Sequence, residues 1–362
     1  MRASLVASVV LSASVLMACG GAEPPPPPPP PPPVPAPAEV ASAAPTDTTP
    51  PAPPPMTPEE EKKAKARKEL EEDRAKWQDA SSAEIARWTP DLHAQAAKLA
   101  GTAYPSLQAA MKAILPSPVR VPGDANRDKY RHPLETLGFF GIKPNMTVLE
   151  VGPGEGWYTE LLAPMLAAKG KLIDTSGDPN GPEDSRGTFY AQRWAKFLSK
   201  SPELFGKVQT VVVDGKAPSL SAIPAGSLDA VLLMREVHGM VNGGTFNTWL
   251  AECRKALKPN GILGIEEHRA KDGDDPTASS KKGYVPQKYV IDTVQAAGFK
   301  LGGQSEINAN AKDTKDYPEG VWALPPTLER GDKDKDTLTA IGESDRMTLK
   351  FTKAPDGWKP KQ

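Results

Sequence analysis

Cysteine is nearly absent from this chain: two in 362 residues, Cys19 and Cys253. If Cys19 is modified at the mature N-terminus, Cys253 stands alone, which excludes an intrachain disulfide. Net charge is nearly absent too. Forty-four Lys and Arg against 45 Asp and Glu leave −1, so there is no electrostatic ground for binding nucleic acid or an anionic membrane surface. No basic groove with interleaved aromatics offers a single-strand track. There is no Walker-type lysine after a glycine loop and no internal repeat. The apolar run LVASVVLSASVLM at residues 5–17 is too short to span a bilayer comfortably. Histidine is scarce, with four in the chain.

Proline is abundant, 41 residues, with much of the excess before residue 55. Arg2 and the apolar run that ends in Leu16-Met17-Ala18-Cys19 read as a signal peptide over 1–18. The ending resembles the lipobox of bacterial lipoproteins. That resemblance implies lipidation at Cys19, a membrane partner through the lipid, and a location in the periplasm or cell envelope. Residues 19–56 form a low-complexity linker with ten consecutive prolines at 24–33. Such a tract builds no core, and at ~3.1 Å per residue its polyproline II form makes a spacer.

Residues 57–115 read as charged N-terminal helices. Thr57-Pro58-Glu59-Glu60 has the form of a capping box with proline in the first turn. The run after it has few apolar anchors and reads as a solvated helix. A second helix is expected over 81–101, with Leu92, Ala96 and Leu99 on one side. From 116 to 355 strands and helices alternate. Strands are expected at 147–151, 171–173, 208–213, 228–234, 262–266, 300–307 and 347–351, and helices at 157–168, 189–199, 246–257 and 286–297; a tail follows at 356–362. Continuous apolar strands in this alternation predict an α/β fold: a mostly parallel seven-stranded sheet with helices on both faces. In such sheets ligands bind at the carboxyl ends of the strands, where strand order reverses. Cys253, within WLAECRKALK, belongs on a helix face as a buried, inert thiol.

The most informative run is VLEVGPGEGWYTELL, 148–162. A dinucleotide fingerprint would need glycine where Trp157 stands. The spacing that fits is acid-x-G-x-G-x-G, carried by Glu150, Gly152, Gly154 and Gly156. It resembles the first motif of class I S-adenosylmethionine-dependent methyltransferases. The glycines let backbone approach a ligand, and the helix start behind them favours a carboxylate. The resemblance implies further cofactor contacts from Asp174, or from Asp178 with a longer loop, to the ribose, and from Asp214 near the adenine. Either acid also suits an ordinary turn. Leu257-Lys258-Pro259-Asn260-Gly261 resembles the turn before the fifth strand of these enzymes, with Asn260 tolerating a left-handed backbone. RDKYRHPLETLGFFGIKP, LLMREVHGM, EEHRA, SEINANAKDTKDYPEGVWALPP and IGESDRMTLKF are similar to a family of uncharacterised predicted bacterial methyltransferases, over residues 119–353. The resemblance implies a Rossmann-like class I methyltransferase fold with S-adenosylmethionine as cofactor. Pro164 should kink the first helix unless that helix is short.

Methyl transfer needs alignment, desolvation and, for some acceptors, a base. Candidates follow the strand ends: Arg235, Glu236 and His238 after the fourth, Glu267, His268 and Arg269 after the fifth, Glu306 and Asn308 after the sixth. His238 or His268 is the expected base, with Glu267 beside it and Arg131 or Arg269 orienting an acidic acceptor. Trp157, Tyr158 and Trp194 could line a pocket for a small molecule or serve as core. Three of the four histidines, His132, His238 and His268, fall on the expected ligand face. With Glu267 or Asp214 they are an alternative, metal-assisted set, although no short metal-type spacing joins them, and no metal site is assigned. Export separates the chain from cytosolic S-adenosylmethionine, so a non-catalytic envelope binding module is the other alternative. The expected acceptor is a small molecule or envelope component.

Overall fold

A computed structural model of the chain describes residues 56–359. The signal segment, Cys19 and the proline-rich linker up to residue 55 lie outside the described residues. The capping box at the start of the helix Pro58–Arg87 is formed. The Thr57 hydroxyl accepts from the Glu60 amide at 3.3 Å, and Glu60 Oε2 accepts from the Thr57 amide at 2.8 Å. Leu70 is its buried residue. Arg74 reaches Gln192 Oε1 at 2.9 Å and Trp77 meets Phe189 edge-on at 5.8 Å, which seats this solvated helix on the helix Arg186–Ser199. The break expected at residue 81 is absent. Ser82 Oγ donates back to the Gln78 carbonyl at 2.8 Å, so the serine bonds within the helix and does not cap a new one. The next helix, Pro90–Gly101, starts instead at Thr89, whose hydroxyl accepts from the Leu92 amide at 3.3 Å.

Seven strands form one sheet in the order β3-β2-β1-β4-β5-β7-β6. They are β1 Thr147–Val151, β2 Lys171–Ser176, β3 Gln209–Val212, β4 Leu228–Met234, β5 Leu257–His268, β6 Phe299–Ser305 and β7 Arg346–Lys353. The first five are parallel, while β7 runs antiparallel between β5 and β6. This is the α/β arrangement expected from the sequence, a mostly parallel seven-stranded sheet with helices on both faces. Central β4 is buried at nearly every position, as a strand covered on both faces must be.

Alternation along the strands divides the core in two. Val148, Leu172, Ala230 and Leu232 pack with the helices Pro90–Gly101, Leu107–Ile114, Pro133–Phe140 and Thr159–Leu166. Leu149, Ile173, Val231, Leu233 and Leu263 pack on the opposite side with the helices Phe246–Ala256 and Gln287–Ala296. Residues 90–114 therefore belong to the core of the sheet, and the boundary placed at 116 is no break in packing. Cys253 is free and buried there, and burial pushes its thiol up to about 12. Asn260 adopts φ 60°, the left-handed backbone foreseen for it, but inside the entry of β5. The helix Thr159–Leu166 starts later than expected, and Pro164 falls in its last turn, so there is no long helix to kink.

Residues 306–345, between β6 and β7, hold the 3-10 turn Gly320–Ala323 and the helix Lys335–Ile341. This segment folds back over the carboxyl ends of β4 and β5, and with it the ligand end of the sheet becomes a walled cleft.

Candidate functional site

The strand order reverses between β1 and β4, and there a cleft of about 270 Å³ opens. Its floor is the turn after β1. Gly152, Gly154 and Gly156 all have positive φ, at 59°, 59° and 82°. The Gly152 amide donates to Thr175 Oγ1 of β2 at 3.0 Å, which ties the turn to the sheet. A Cβ on Gly152 would run into the Glu236 carboxylate, whereas a Cβ on Gly154 would meet nothing within 4 Å. Gly154 is thus the open point of the turn. At Gly156 a side chain is forbidden by the Phe197 ring of the helix Arg186–Ser199.

One side of the cleft carries carboxyls. Glu150 is buried and accepts from Thr159 Oγ1 at 2.7 Å. Burial, with Asp174 and Glu236 nearby, pushes it up to about 8 against the help of Thr159 and Arg235. Glu236 is half-buried over Gly152, its carboxylate without a hydrogen bond among the described residues, and burial pushes it to about 8 as well. Glu267 is fully buried, and its carboxylate accepts from the His238 amide at 3.1 Å and the His268 amide at 2.8 Å.

The cleft also carries arginines. Glu343 accepts from Arg127 Nε at 2.9 Å, from Arg131 Nε at 3.0 Å and from Arg346 Nη1 at 2.7 Å. Glu266 sits between Arg235 at 2.9 Å and Arg346 at 3.1 Å and accepts from the Tyr158 hydroxyl at 3.3 Å. Four guanidinium groups face these two carboxylates and Asp124, 3.6 Å from Arg127, so cations outnumber anions by one on this wall. Arg131 also lies over the Trp157 ring, 4.8 Å from its centroid. Arg235 holds φ 64°, a strained backbone for arginine, at the mouth of β4.

At the far end His238 Nδ1 is 3.0 Å from Glu267 Oε1, and the rings of His238 and His268 are 5.6 Å apart. Burial opposes protonation of His238, but the Glu267 carboxylate, with Glu236, outweighs it and the imidazole titrates above its ordinary range. His268 is held well below that range by burial, with the charges of His238, Arg235 and Arg346 adding to the effect. Its Nδ1 lies 2.6 Å from Ser344 Oγ. The strap from the 306–345 segment closes this end with Val321, Trp322, Pro325 and Pro326.

The structure therefore brings together Glu150, Gly152, Gly154, Arg131, Arg235, Glu236, His238 and His268 along one cleft, with Glu267 behind the two histidines. It does not bring the expected ribose and adenine acids there. Asp174 pairs in register with Glu150 but is fully buried away from the cleft, its two oxygens without hydrogen bonds, and burial raises it to about 6. Asp178 and Asp214 are exposed and accept from their own Asn180 and Lys216 amides at 2.8 and 2.9 Å. They are turn aspartates, the more ordinary of the two uses. Arg269 is occupied by Asp345 and Glu306, two carboxylates gripped at 2.7–3.0 Å, and Arg131 is likewise paired, with Glu343 at 3.0 Å. His132 also stands apart. Its ring meets Asn308 Oδ1 at 3.4 Å, and Asn308 bonds Thr136 and Thr348 at 3.0 Å, a latch between a helix and β7. The alternative histidine set thus loses His132 and keeps His238 and His268. Trp194 is core, stacked on Phe197 at 5.0 Å.

Glu343, Ser344 and Trp322 were not singled out from sequence. Glu343 and Ser344 stand in the polar run Glu343-Ser344-Asp345-Arg346 directly before an apolar strand, all four buried, whereas Trp322 lies outside it.

No protein-family model matches this chain, and no curated protein matches it. Among solved structures it is similar to a SAM-dependent methyltransferase from Aquifex aeolicus, with 18% identity and a TM-score of 0.41 over 68% of this chain and 97% of that one. It is similar to the [4+2]-cyclase SpnF, with 19% identity and a TM-score of 0.40 over 64% and 81%. A third is CrArsM, an arsenic(III) S-adenosylmethionine methyltransferase from Chlamydomonas reinhardtii, with 13% identity and a TM-score of 0.40 over 69% and 75%.

Proposed function

We propose that the cleft binds S-adenosylmethionine and that the chain is a methyltransferase for a small-molecule acceptor. The observation that carries this reading is the glycine turn of β1, open at Gly154, at the point where strand order reverses. The chemistry of the walls supports it. A methionyl group carries an ammonium and a carboxylate on one carbon, with the sulfonium three bonds further along its side chain. Glu150 and Glu236 face the first, and the arginine wall of Arg127, Arg131 and Arg235 faces the second. Two carboxyls held up to about 8 by burial are groups that a cation would ionise. The fit extends to the amino-acid end. No residue of this chain is assigned to ribose or adenine, because Asp174, Asp178 and Asp214 stand outside the cleft.

When bound, the cofactor supplies a methyl group on a sulfonium, an electrophile ready for displacement. The protein supplies alignment and a dry site. The Trp322 and Pro325-Pro326 strap shields the histidine end from water, which strengthens every charge interaction inside. The acceptor belongs at His238 and His268. A proton lost by the acceptor is received by an imidazole of this end, where Glu267 orients His238. Photo-crosslinking with methyl-tritiated S-adenosylmethionine tests the reading. Label on the peptide that carries Gly152–Gly156 is expected. Label elsewhere, or none, overturns it. Binding without methyl transfer to any acceptor would favour the envelope binding module.

The proposal extends to location: a chain lipidated at Cys19 and held at the cell envelope. Arg2, the apolar run and Leu16-Met17-Ala18-Cys19 support it. The Cys19→Ala chain should leave the membrane fraction, and its retention there would refute the anchor.

A further inference from the structure

We propose that His238, Glu267 and His268 form a binding site for one divalent transition-metal ion, with a coordination position open to the cleft. The site goes beyond the cofactor reading and does not depend on it.

The three side chains can each offer one ligand atom, and these atoms all lie within 4.8 Å of one another. Zinc at ~2.0–2.1 Å from each of its ligands sets neighbouring ligand atoms about 3.3 Å apart in a tetrahedron. His238 Nδ1 and Glu267 Oε1 are already at 3.0 Å. Closing the set requires an imidazole movement of about 1–2 Å, well within side-chain rotation. Two imidazoles and a carboxylate suit zinc, cobalt or iron over magnesium or calcium, which prefer all-oxygen sets. Three protein ligands with a fourth place facing a cleft is the pattern of a reactive rather than a structural ion.

The surroundings are built for ligation. Ser344 Oγ holds His268 Nδ1 at 2.6 Å, fixes the ring and leaves Nε2 free, which is the service that outer-shell groups give metal-bound histidines. The Glu267 carboxylate is locked by the His238 and His268 amides. The charges nearby permit a cation. Arg235 is the near guanidinium, and it is paired with Glu266 at 2.9 Å, as is Arg346 at 3.1 Å. Glu236 lines the same cleft and adds a carboxyl whose oxygens make no hydrogen bond among the described residues. The sequence spacing hid the set, because Glu267-His268 closes β5 while His238 follows β4. Parallel pairing of these strands, Met234 beside Glu266, brings them together.

An acceptor at this end would meet the ion at its open position, and an oxygen or sulfur acceptor there would lose its proton to water more readily than when free. The ion would then replace His238 as the activating group.

The test is calorimetric titration of the chelator-treated full chain with zinc chloride, without S-adenosylmethionine. One ion per chain is expected. His238→Gln should abolish the binding, and Ser344→Ala should weaken it roughly 10–100-fold. His132→Gln, outside the set, should leave it unchanged. Cobalt(II) in place of zinc should give visible absorption of four- or five-coordinate intensity, absent in His238→Gln. No stoichiometric ion on the folded wild-type chain, or a full complement on folded His238→Gln, overturns the proposal. Since no cofactor is present, failure here leaves the S-adenosylmethionine reading untouched, and failure of that reading leaves this one.

Discussion

The carboxylate of Glu236 fills the space that a side chain on Gly152 would take. The relationship couples the end of β4 to the turn after β1, across the boundary where strand order reverses. Gly152→Ala should therefore do two things: strain a backbone at φ 59°, at a cost of about 1–2 kcal/mol, and push Glu236 aside. In a double-mutant cycle by urea denaturation, Glu236→Ala should recover the steric part and leave the backbone part. Simple additivity of the two changes would deny the contact.

Glu150 and Glu236 make stability depend on pH. Both titrate at about 8 in the folded chain against an ordinary 4.5. The folded chain thus holds more protons than the unfolded one between those values. The contribution of these carboxyls is complete below pH 4.5, declines as pH rises, and is lost above about 8. Glu150→Gln should flatten the decline, read from denaturation midpoints at several pH values across the window. A slope unchanged in this variant would show that Glu150 does not titrate there.

Asp178 and Asp214 are expected to be neutral to function. Each closes an exposed turn on its own backbone. Alanine at either position should shift stability by no more than about 0.5 kcal/mol and leave affinity for the cleft ligand as it is. A large loss of affinity in Asp214→Ala would restore the adenine role implied by the sequence resemblance.

What could be read from sequence followed from local chemistry. The strand–turn–helix at Glu150 to Gly156 is legible because apolar strand, glycine spacing and helix start lie within one short run, and β1 and β4 are legible because buried parallel strands are continuously apolar. Asn260 was legible because few residues other than glycine accept its backbone. The acids after β2 and β3 were not legible, since an aspartate after a strand reads alike whether it turns toward a ligand or bonds its own chain. The pairing of His238 with Glu267 depends on which strands lie side by side, and the closing strap depends on how residues 306–345 fold back, neither of which a local pattern encodes. The N-terminal helix ran past Ser81 and Ser82 because a serine can bond inward as readily as cap.

Glu343 should be the costliest single carboxylate to remove. It accepts hydrogen bonds from Arg127, Arg131 and Arg346 at once, with little exposure of its own. Glu343→Gln keeps the shape, leaves the buried Arg131 without a carboxylate, and should destabilise by about 3–5 kcal/mol in urea denaturation. A loss under about 1 kcal/mol, the range of exposed pairs, would mean that solvent reaches this wall.

The most direct measurement is calorimetric titration of the full chain with S-adenosylmethionine and with S-adenosylhomocysteine. Saturable one-to-one binding to both is the predicted result, with loss of both in Gly154→Arg, where the new side chain would enter the open point of the turn. Absence of binding to either ligand by the folded wild-type chain, or full binding by folded Gly154→Arg, would contradict a cofactor site on the glycine turn.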